Sequence, residues 1–355
     1  MNKTSERNYG VDLLKILSMF SICLLHTLKQ GCALEASSGT YNMIYNFLFI
    51  LTCTAVDCFA IISGYFAIDA NHRYVKIIKM WFQVFFYSFG IPLGINILRL
   101  IVSSPEGFEV SQVLSGLLPV LNGKYWYFNA YFILFFFMPF INKALLNLGK
   151  ETAKKALIVF SCLLIAMYVF VASPSCNFLG EGRSVYWITL MYILGALIKK
   201  SELLINAKTS TIVVLYSISI LTSFIYYYSN HVTGPENIFP LFWISSVLLV
   251  KIFERLKPNT KIVSFLSPLC FGTYLLHTHF YFRYYFLSER FIDYTYINTI
   301  NGVIVVFLTS VFVFFVGIVI DYLRTVIFKV LKIDKLSERI LHAIQLLINK
   351  LSCII

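Results

Sequence analysis

Apolar runs of nearly membrane-spanning length recur along the whole chain, and they restrict the fold more than any other feature. A helix crosses the hydrocarbon core of a bilayer with roughly 20 apolar residues. Runs close to that length, separated by charged or Pro/Gly-containing loops, predict helices near 11–28, 43–68, 76–101, 126–147, 154–172, 183–198, 209–229, 238–254, 264–287 and 297–323. Only 13% of the residues are charged, about half the share in soluble domains. We therefore predict an all-α, polytopic membrane protein of about ten transmembrane helices.

The formal net charge of +12 is spread over short loops and does not form one basic face. Lysines and arginines concentrate in alternate loops, whereas the opposite loops hold only Lys29, Lys124, Arg183 and Arg290. Cytoplasmic loops carry such an excess of positive charge. The pattern predicts that both termini are cytoplasmic, and it argues against nucleic acid as a partner.

The C-terminal residues 329–355 differ from the rest of the chain. Their apolar residues recur at helical spacing, opposite a charged face formed by Lys332, Lys335, Arg339 and Lys350. Such a helix lies in the membrane interface with its apolar face against lipid. We therefore divide the chain into a transmembrane domain, 1–328, and a cytoplasmic amphipathic tail, 329–355. We expect the third predicted helix to be interrupted at Gly90-Ile91-Pro92, where the missing amide donor of Pro92 should bend it.

Helix one carries three ionisable residues, Asp12, Lys15 and His26. Ionisable groups at membrane depth are costly and usually face a cavity. Lys15 and His26 are eleven positions apart, which places them within about 20° of one face and roughly 16 Å apart along the axis. Asp12 lies on that face too. A cation at one end suits a phosphate group, and an imidazole further along suits proton transfer near neutral pH.

These spacings leave two interpretations of helix one open. In the first, the stripe holds acyl-CoA, with its phosphates at Lys15 and its thioester at His26, because the separation resembles the length of a pantetheine arm. In the second, Lys15 extends to the lipid headgroups and His26 hydrogen-bonds a neighbouring helix. Geometry alone does not separate the two.

Four stretches of the sequence resemble the acyltransferase-3 family of membrane O-acyltransferases. The first is Lys15 followed after ten residues by His26, which is similar to the family's Arg/Lys-x10-His signature. The others are residues 56–66 (VDCFAIISGYF), residues 124–127 (KYWY) leading to Pro139, and residues 271–277 (FGTYLLH). They occur in the family's order, and the resemblance spans roughly residues 7–323.

The resemblance implies a ten-helix, multi-pass protein of a bacterial plasma (inner) membrane. It implies transfer of an acyl group, commonly acetyl from acetyl-CoA, to a hydroxyl of a surface polysaccharide, a glycan or a lipid-linked oligosaccharide. His26 would be the catalytic histidine and Lys15 the basic partner of the donor. The family more often has Arg at that position, and Lys keeps the charge but loses the bidentate fork.

Further candidate residues complete this hypothesis. Asp12 and Asp57 are candidate catalytic carboxylates, and Asp57 either orients His26 or makes a structural hydrogen bond. The other candidates are donor-binding Arg73 and Lys76, and acceptor-binding Trp126, Tyr127, His277 and Arg283. Arg283 binds an anionic acceptor or extends to the headgroups. The histidines lack the carboxylate and thiolate pattern of a zinc site, so we expect no metal.

Two other functions fit ten helices with intramembrane charges. One is a transporter or flippase of a lipid-linked saccharide without acyl chemistry. The other is a membrane scaffold, in which Lys15 and His26 would both be replaceable. The apolar composition requires that membrane lipid surrounds the protein. No sequence feature indicates an oligomeric state.

Overall fold

The computed structural model describes residues 7–102, 109–171, 182–230 and 238–352. Within these ranges the chain is helical and contains no strand. Its helices are α1 (Tyr9–Gln30), α2 (Ala33–Ala36), α3 (Gly39–Thr52), α4 (Ala55–Ala67), α5 (Val75–Ile101), α6 (Val110–Ser115), α7 (Trp126–Leu146), α8 (Lys150–Val171), α9 (Val185–Ser201), α10 (Thr209–Ser229), α11 (Pro240–Phe253), α12 (Thr260–Leu266), α13 (Cys270–His277), α14 (Phe280–Phe282), α15 (Ile300–Val330) and α16 (Ile333–Ser352).

Seven segments of the described chain are long and apolar enough to cross a membrane: α1, the α3–α4 pair, α5, α7, α8, α10 and α15. Large apolar side chains on these helices, such as Phe140 and Phe170, are exposed on the protein surface. In a soluble protein a surface of this kind would cause aggregation, whereas lipid tails cover it. The prediction of an all-α membrane protein is therefore confirmed, with seven spans that meet these criteria.

The remaining three predicted spans are shorter or interrupted. α9 has 17 residues and α11 has 14. The predicted helix 264–287 is wrong as one continuous helix. It consists of α12, a 3₁₀ turn at Ser267–Leu269, α13, α14 and a π-helical turn at Arg283–Leu287. Pro268 lies in the 3₁₀ turn, and the His279 side chain accepts a hydrogen bond from the Tyr281 amide and restarts the helix.

The second predicted helix, 43–68, is also interrupted, between α3 and α4 at Cys53 and Thr54. A broken helix at membrane depth is tolerated where the freed backbone groups find partners inside the protein. Here the Thr54 carbonyl accepts a hydrogen bond from the Ser246 hydroxyl of α11, at 2.8 Å. The break therefore lies against another helix, away from lipid.

The predicted interruption at Pro92 does not occur, since α5 runs as one helix from Val75 to Ile101. The Asn96 side chain donates to the Pro92 carbonyl, 2.8 Å away. At the C-terminal end α15 extends to Val330, so the predicted domain boundary at 328/329 falls inside its last turn. After α15 the chain turns at Leu331 and Lys332, where Lys332 has a φ of 54°.

An amphipathic C-terminal helix is present as α16, which packs against α5 and is tied to it by an ion pair between Lys79 and Asp334, 2.6 Å apart. The last three residues of the predicted tail lie outside the described ranges. Many of the apolar residues of α16, including Leu347 and Leu351, are exposed. The location of α16 on the inner leaflet, and of both termini in the cytoplasm, stays a prediction.

α1 lies at the centre of the bundle and packs against α3, α4, α11, α13 and α15. α4 and α9 pack closely because each presents a glycine at the contact. A Cβ at Gly64 would overlap the Tyr192 carbonyl, and one at Gly195 would overlap the Ile61 carbonyl. Small residues allow helix backbones to approach in this way within membranes.

This close packing predicts that Gly64→Ala destabilises the protein. The added methyl group meets backbone atoms that cannot move aside, and overpacking of this kind costs about 1–3 kcal/mol. Gly90→Ala is the matched control, because a Cβ at Gly90 of α5 meets no atom within 4 Å. Thermal unfolding of the purified variants in detergent checks this: a lower midpoint is expected for Gly64→Ala alone. Equal midpoints for the two variants would contradict the packing described.

Candidate active site

One face of α1 borders a cavity of about 430 Å³, a size typical of ligand pockets. The side chains that α1 contributes recur every three or four residues and are Lys15, Met19, Ile22, Leu25, His26, Lys29 and Gln30. Lys15 and His26 therefore line one cavity. The stripe from Lys15 to Lys29 covers about 21 Å along the helix axis, and its two ends are both cationic.

The other walls are mostly aromatic and come from several helices. They are formed by Phe49, Cys53, Val56, Phe59, Ser63, Met80, Trp126, Tyr127, Phe128, Tyr131, Arg183, Ser267, Cys270, Phe271 and Tyr274. The break between α3 and α4 opens onto the cavity at Cys53. Trp126 and Tyr127, predicted to bind the acceptor, both lie in this wall, at the start of α7.

His26 is held by a second histidine. Its Nδ1 lies 2.8 Å from Nε2 of His277, the last residue of α13. Nδ1 of His277 lies 2.6 Å from the Thr273 carbonyl, which can only accept a hydrogen bond. His277 must therefore carry its proton on Nδ1, and the Nε2 of a neutral His277 accepts from His26.

This chain of hydrogen bonds fixes the tautomer of His26. With its proton on Nδ1, neutral His26 keeps an unshared electron pair on Nε2. His277 is fully buried and does not line the cavity, whereas His26 does. A nitrogen with a free electron pair on the cavity side can take a proton or attack a carbonyl group.

Asp12 lies at the other end of α1, about 21 Å from His26 along the axis. Its carboxylate bridges Arg7 at 2.5 Å and Lys15 at 3.0 Å. Asp12 is therefore placed to position the Lys15 ammonium and is too distant to act on His26. Lys15 itself is about one third exposed, so its charge remains accessible from the cavity.

Asp57 does not contact His26 in this structure. It is fully buried in the first turn of α4, where Oδ1 accepts a hydrogen bond from the Trp187 indole at 2.9 Å. Its Oδ2 has no hydrogen-bond partner within the described part of the chain. Asp57 was expected either to orient His26 or to make a structural hydrogen bond. In this structure it makes the hydrogen bond, to Trp187 of α9.

The other predicted residues lie outside the cavity. Arg73 lies just before α5 and Lys76 lies in its first turn, and both are exposed; Lys76 is one turn before Met80, which does line the cavity. Arg283 borders a separate, smaller pocket with Gln112, Lys124, Tyr125, Thr278, His279 and Phe280. His277 and His279 thus face different environments, as their spacing of two residues predicts. Among the described residues, no group of three or more His, Cys, Asp or Glu side chains could hold a metal.

Several lining residues were not identified from the sequence. Lys29 and Gln30 continue the face that carries Lys15 and His26, so the helical period contains a signal for them. Arg183 precedes α9 by two residues and is distant from α1 in sequence, so only the fold brings it to the cavity. The same holds for the contact between His26 and His277.

Comparison with known proteins identifies the family of this chain. A family model with the description acyltransferase domain, that of the acyltransferase-3 family, matches residues 8–322. Searches of curated proteins and of solved structures found no match. The matched range covers nearly the whole chain and includes every residue that lines the cavity. The chain therefore belongs to the acyltransferase-3 family and carries its acyltransferase domain.

Proposed function

We propose that this protein transfers an acyl group, in particular acetyl, from acyl-CoA to a hydroxyl of a cell-surface glycan or its lipid-linked precursor. The observation that carries the proposal is the single cavity lined by both Lys15 and His26, with the Nε2 electron pair of His26 unshared. Membership in an acyltransferase family supports the reaction class. The donor, the acetyl group and the acceptor are our inference.

Lys15 is proposed to bind the phosphates of the donor. With the N-terminus in the cytoplasm, as the loop charges predict, Lys15 lies toward the side that supplies acyl-CoA. From Lys15 the cavity continues along α1 to His26, roughly 16 Å further along the axis. The apolar and aromatic side chains between them, including Met19 and Ile22, suit the pantetheine arm and exclude water from the thioester.

His26 is proposed to act as the general base. Its Nε2 takes the proton of the acceptor hydroxyl while the hydroxyl oxygen attacks the thioester carbonyl. The carbon–sulfur bond then breaks, the new ester forms, and the proton passes from His26 to the departing thiolate of CoA. In this step His277 is a positioning residue, because its Nε2 accepts a hydrogen bond from the Nδ1–H of His26 and it does not touch the substrate.

The general-base role predicts that His26→Ala lowers the transfer rate by about 10²- to 10⁴-fold. His342→Ala is the matched control, since His342 is exposed on α16, far in sequence from the cavity residues. The measurement is transfer of radiolabelled acetyl from acetyl-CoA to a glycan and lipid extract of cells that lack this protein. Unchanged transfer by a folded His26→Ala protein would remove His26 from the mechanism.

The positioning role of His277 predicts a different kinetic effect. His277→Ala leaves the Nδ1 proton of His26 without its acceptor, so kcat falls by about tenfold or more while the KM for acetyl-CoA stays constant. His277→Gln keeps an acceptor oxygen and is expected to recover part of kcat. A loss of kcat that is the same in both variants would instead indicate a packing defect.

The role of Lys15 predicts an effect that depends on the donor. Lys15→Met raises the KM for acetyl-CoA by about tenfold, since a hydrogen bond to a charged group contributes about 1.5–3 kcal/mol. For S-acetylpantetheine, which lacks the nucleotide phosphates, the same substitution has little effect. Lys15→Arg keeps the charge and serves as the control. Equal changes for both donors would contradict phosphate binding at Lys15.

The labelled-acetyl measurement also distinguishes the enzyme from a transporter or flippase. An acyltransferase places label on the acceptor when purified protein, acetyl-CoA and extract are mixed in detergent, where no membrane separates two sides. A transporter moves a lipid-linked saccharide across a vesicle membrane and leaves it unlabelled.

A further inference from the structure

The cavity continues beyond His26 to a second cationic end. Lys29 of α1 and Arg183, just before α9, both line it and both have exposed side chains. Among the described residues neither forms an ion pair. Of the residues that the structure describes, none of those lining the cavity is acidic. This end of the cavity is therefore suited to bind a negatively charged group.

A polar group without a partner lies at the same end. The Oε1 atom of Gln30 is buried and has no hydrogen-bond partner in the described structure. Buried amide groups are rarely left unpaired, so such an atom indicates a missing ligand or water. Gln30 offers an acceptor to a hydroxyl group, while Lys29 and Arg183 offer donors to an oxyanion.

The two cations lie close to the proposed site of reaction. Lys29 follows His26 by three residues, a rise of about 4.5 Å along α1. Arg183 is placed by the start of α9, where the Ser184 side chain accepts a hydrogen bond from the Trp187 amide and caps the helix. An anion held between these side chains would lie about one sugar unit from a hydroxyl at His26.

Lys29 and Arg183 could instead extend toward lipid headgroups, as cations near helix ends often do. Their place in the cavity lining argues against this, because both side chains border the same cavity as His26. Glu289 is the acidic residue whose backbone amide bonds to the Gln30 carbonyl, but its exposed side chain does not line the cavity. Among the described residues, therefore, no acidic side chain in the cavity lining neutralises the positive charge at this end.

We infer that the acceptor is an anionic saccharide, with a carboxylate or phosphate group bound between Lys29 and Arg183 about one sugar unit from the hydroxyl that is acylated. The inference rests on the proposed function and adds the chemical class of its acceptor. A uronic acid and the phosphate of a lipid-linked precursor share the oxyanion chemistry that a guanidinium group recognises.

A binding measurement tests this without any acyl transfer. The probes are an oligoglucuronate, its carboxyl-reduced neutral form, and inorganic pyrophosphate, titrated calorimetrically into the purified full-length protein at low salt. We expect the wild type to bind at least one of the two anions about tenfold more tightly than the neutral oligomer. Lys29→Gln and Arg183→Gln should each remove most of that difference. Preference for the oligoglucuronate identifies a carboxylate, and preference for pyrophosphate a phosphate.

Arg290→Gln is the matched control, because Arg290 is predicted to lie on the same side of the membrane but does not line the cavity. It should bind all three probes like the wild type. Equal binding of neutral and anionic probes by the wild type would overturn the inference, and so would an equal effect of Arg290→Gln. Failure of the proposed function would appear separately, as an absence of labelled product from acetyl-CoA in the wild-type protein.

Discussion

The hydrogen bond between His26 and His277 is the interaction on which this account depends. An imidazole at membrane depth needs a partner, since a polar group left unpaired there costs several kcal/mol. Here the partner is itself fixed by the Thr273 carbonyl, so the proton positions of both rings follow from one backbone oxygen. The hydrogen bond between the two histidines pairs the buried polar atoms and leaves Nε2 of His26 as a basic nitrogen at the cavity. Structural stability and reactivity are therefore not in conflict at this position.

The placement of α13 explains why His277 reaches His26. A side chain at Gly272 would overlap Asp321 of α15, and one at Gly317 would overlap Thr273. The buried Asp321 in turn accepts hydrogen bonds from Tyr87 and Arg324. α13 therefore lies directly against α15 at the hydrogen-bonded Asp321. α13 ends at His277, level with His26, because the helix breaks there. An uninterrupted helix would continue past His26.

The sequence predicted the all-helical membrane fold, because the apolar composition and run length allow no soluble alternative. It also predicted that Lys15 and His26 share a face, since helical periodicity depends on sequence spacing alone. It did not predict the breaks at Cys53 and after His277. Hydropathy averages over such breaks, and their backbone groups are satisfied by residues distant in sequence, such as Ser246. The partner of Asp57 could not be predicted from the sequence either, because Trp187 lies 130 residues away.

The cavity has a positive charge at each end and a histidine between them, which suits a reaction whose two substrates enter from opposite sides. The most direct test is a structure of the protein with a ketone analogue of acetyl-CoA, in which a methylene group replaces the thioester sulfur and transfer is blocked. We expect the analogue's carbonyl carbon about 4–5 Å from His26 Nε2, which leaves room for the acceptor hydroxyl between them, and its phosphates near Lys15. An analogue bound outside this cavity, or with its carbonyl group remote from His26, would contradict the account.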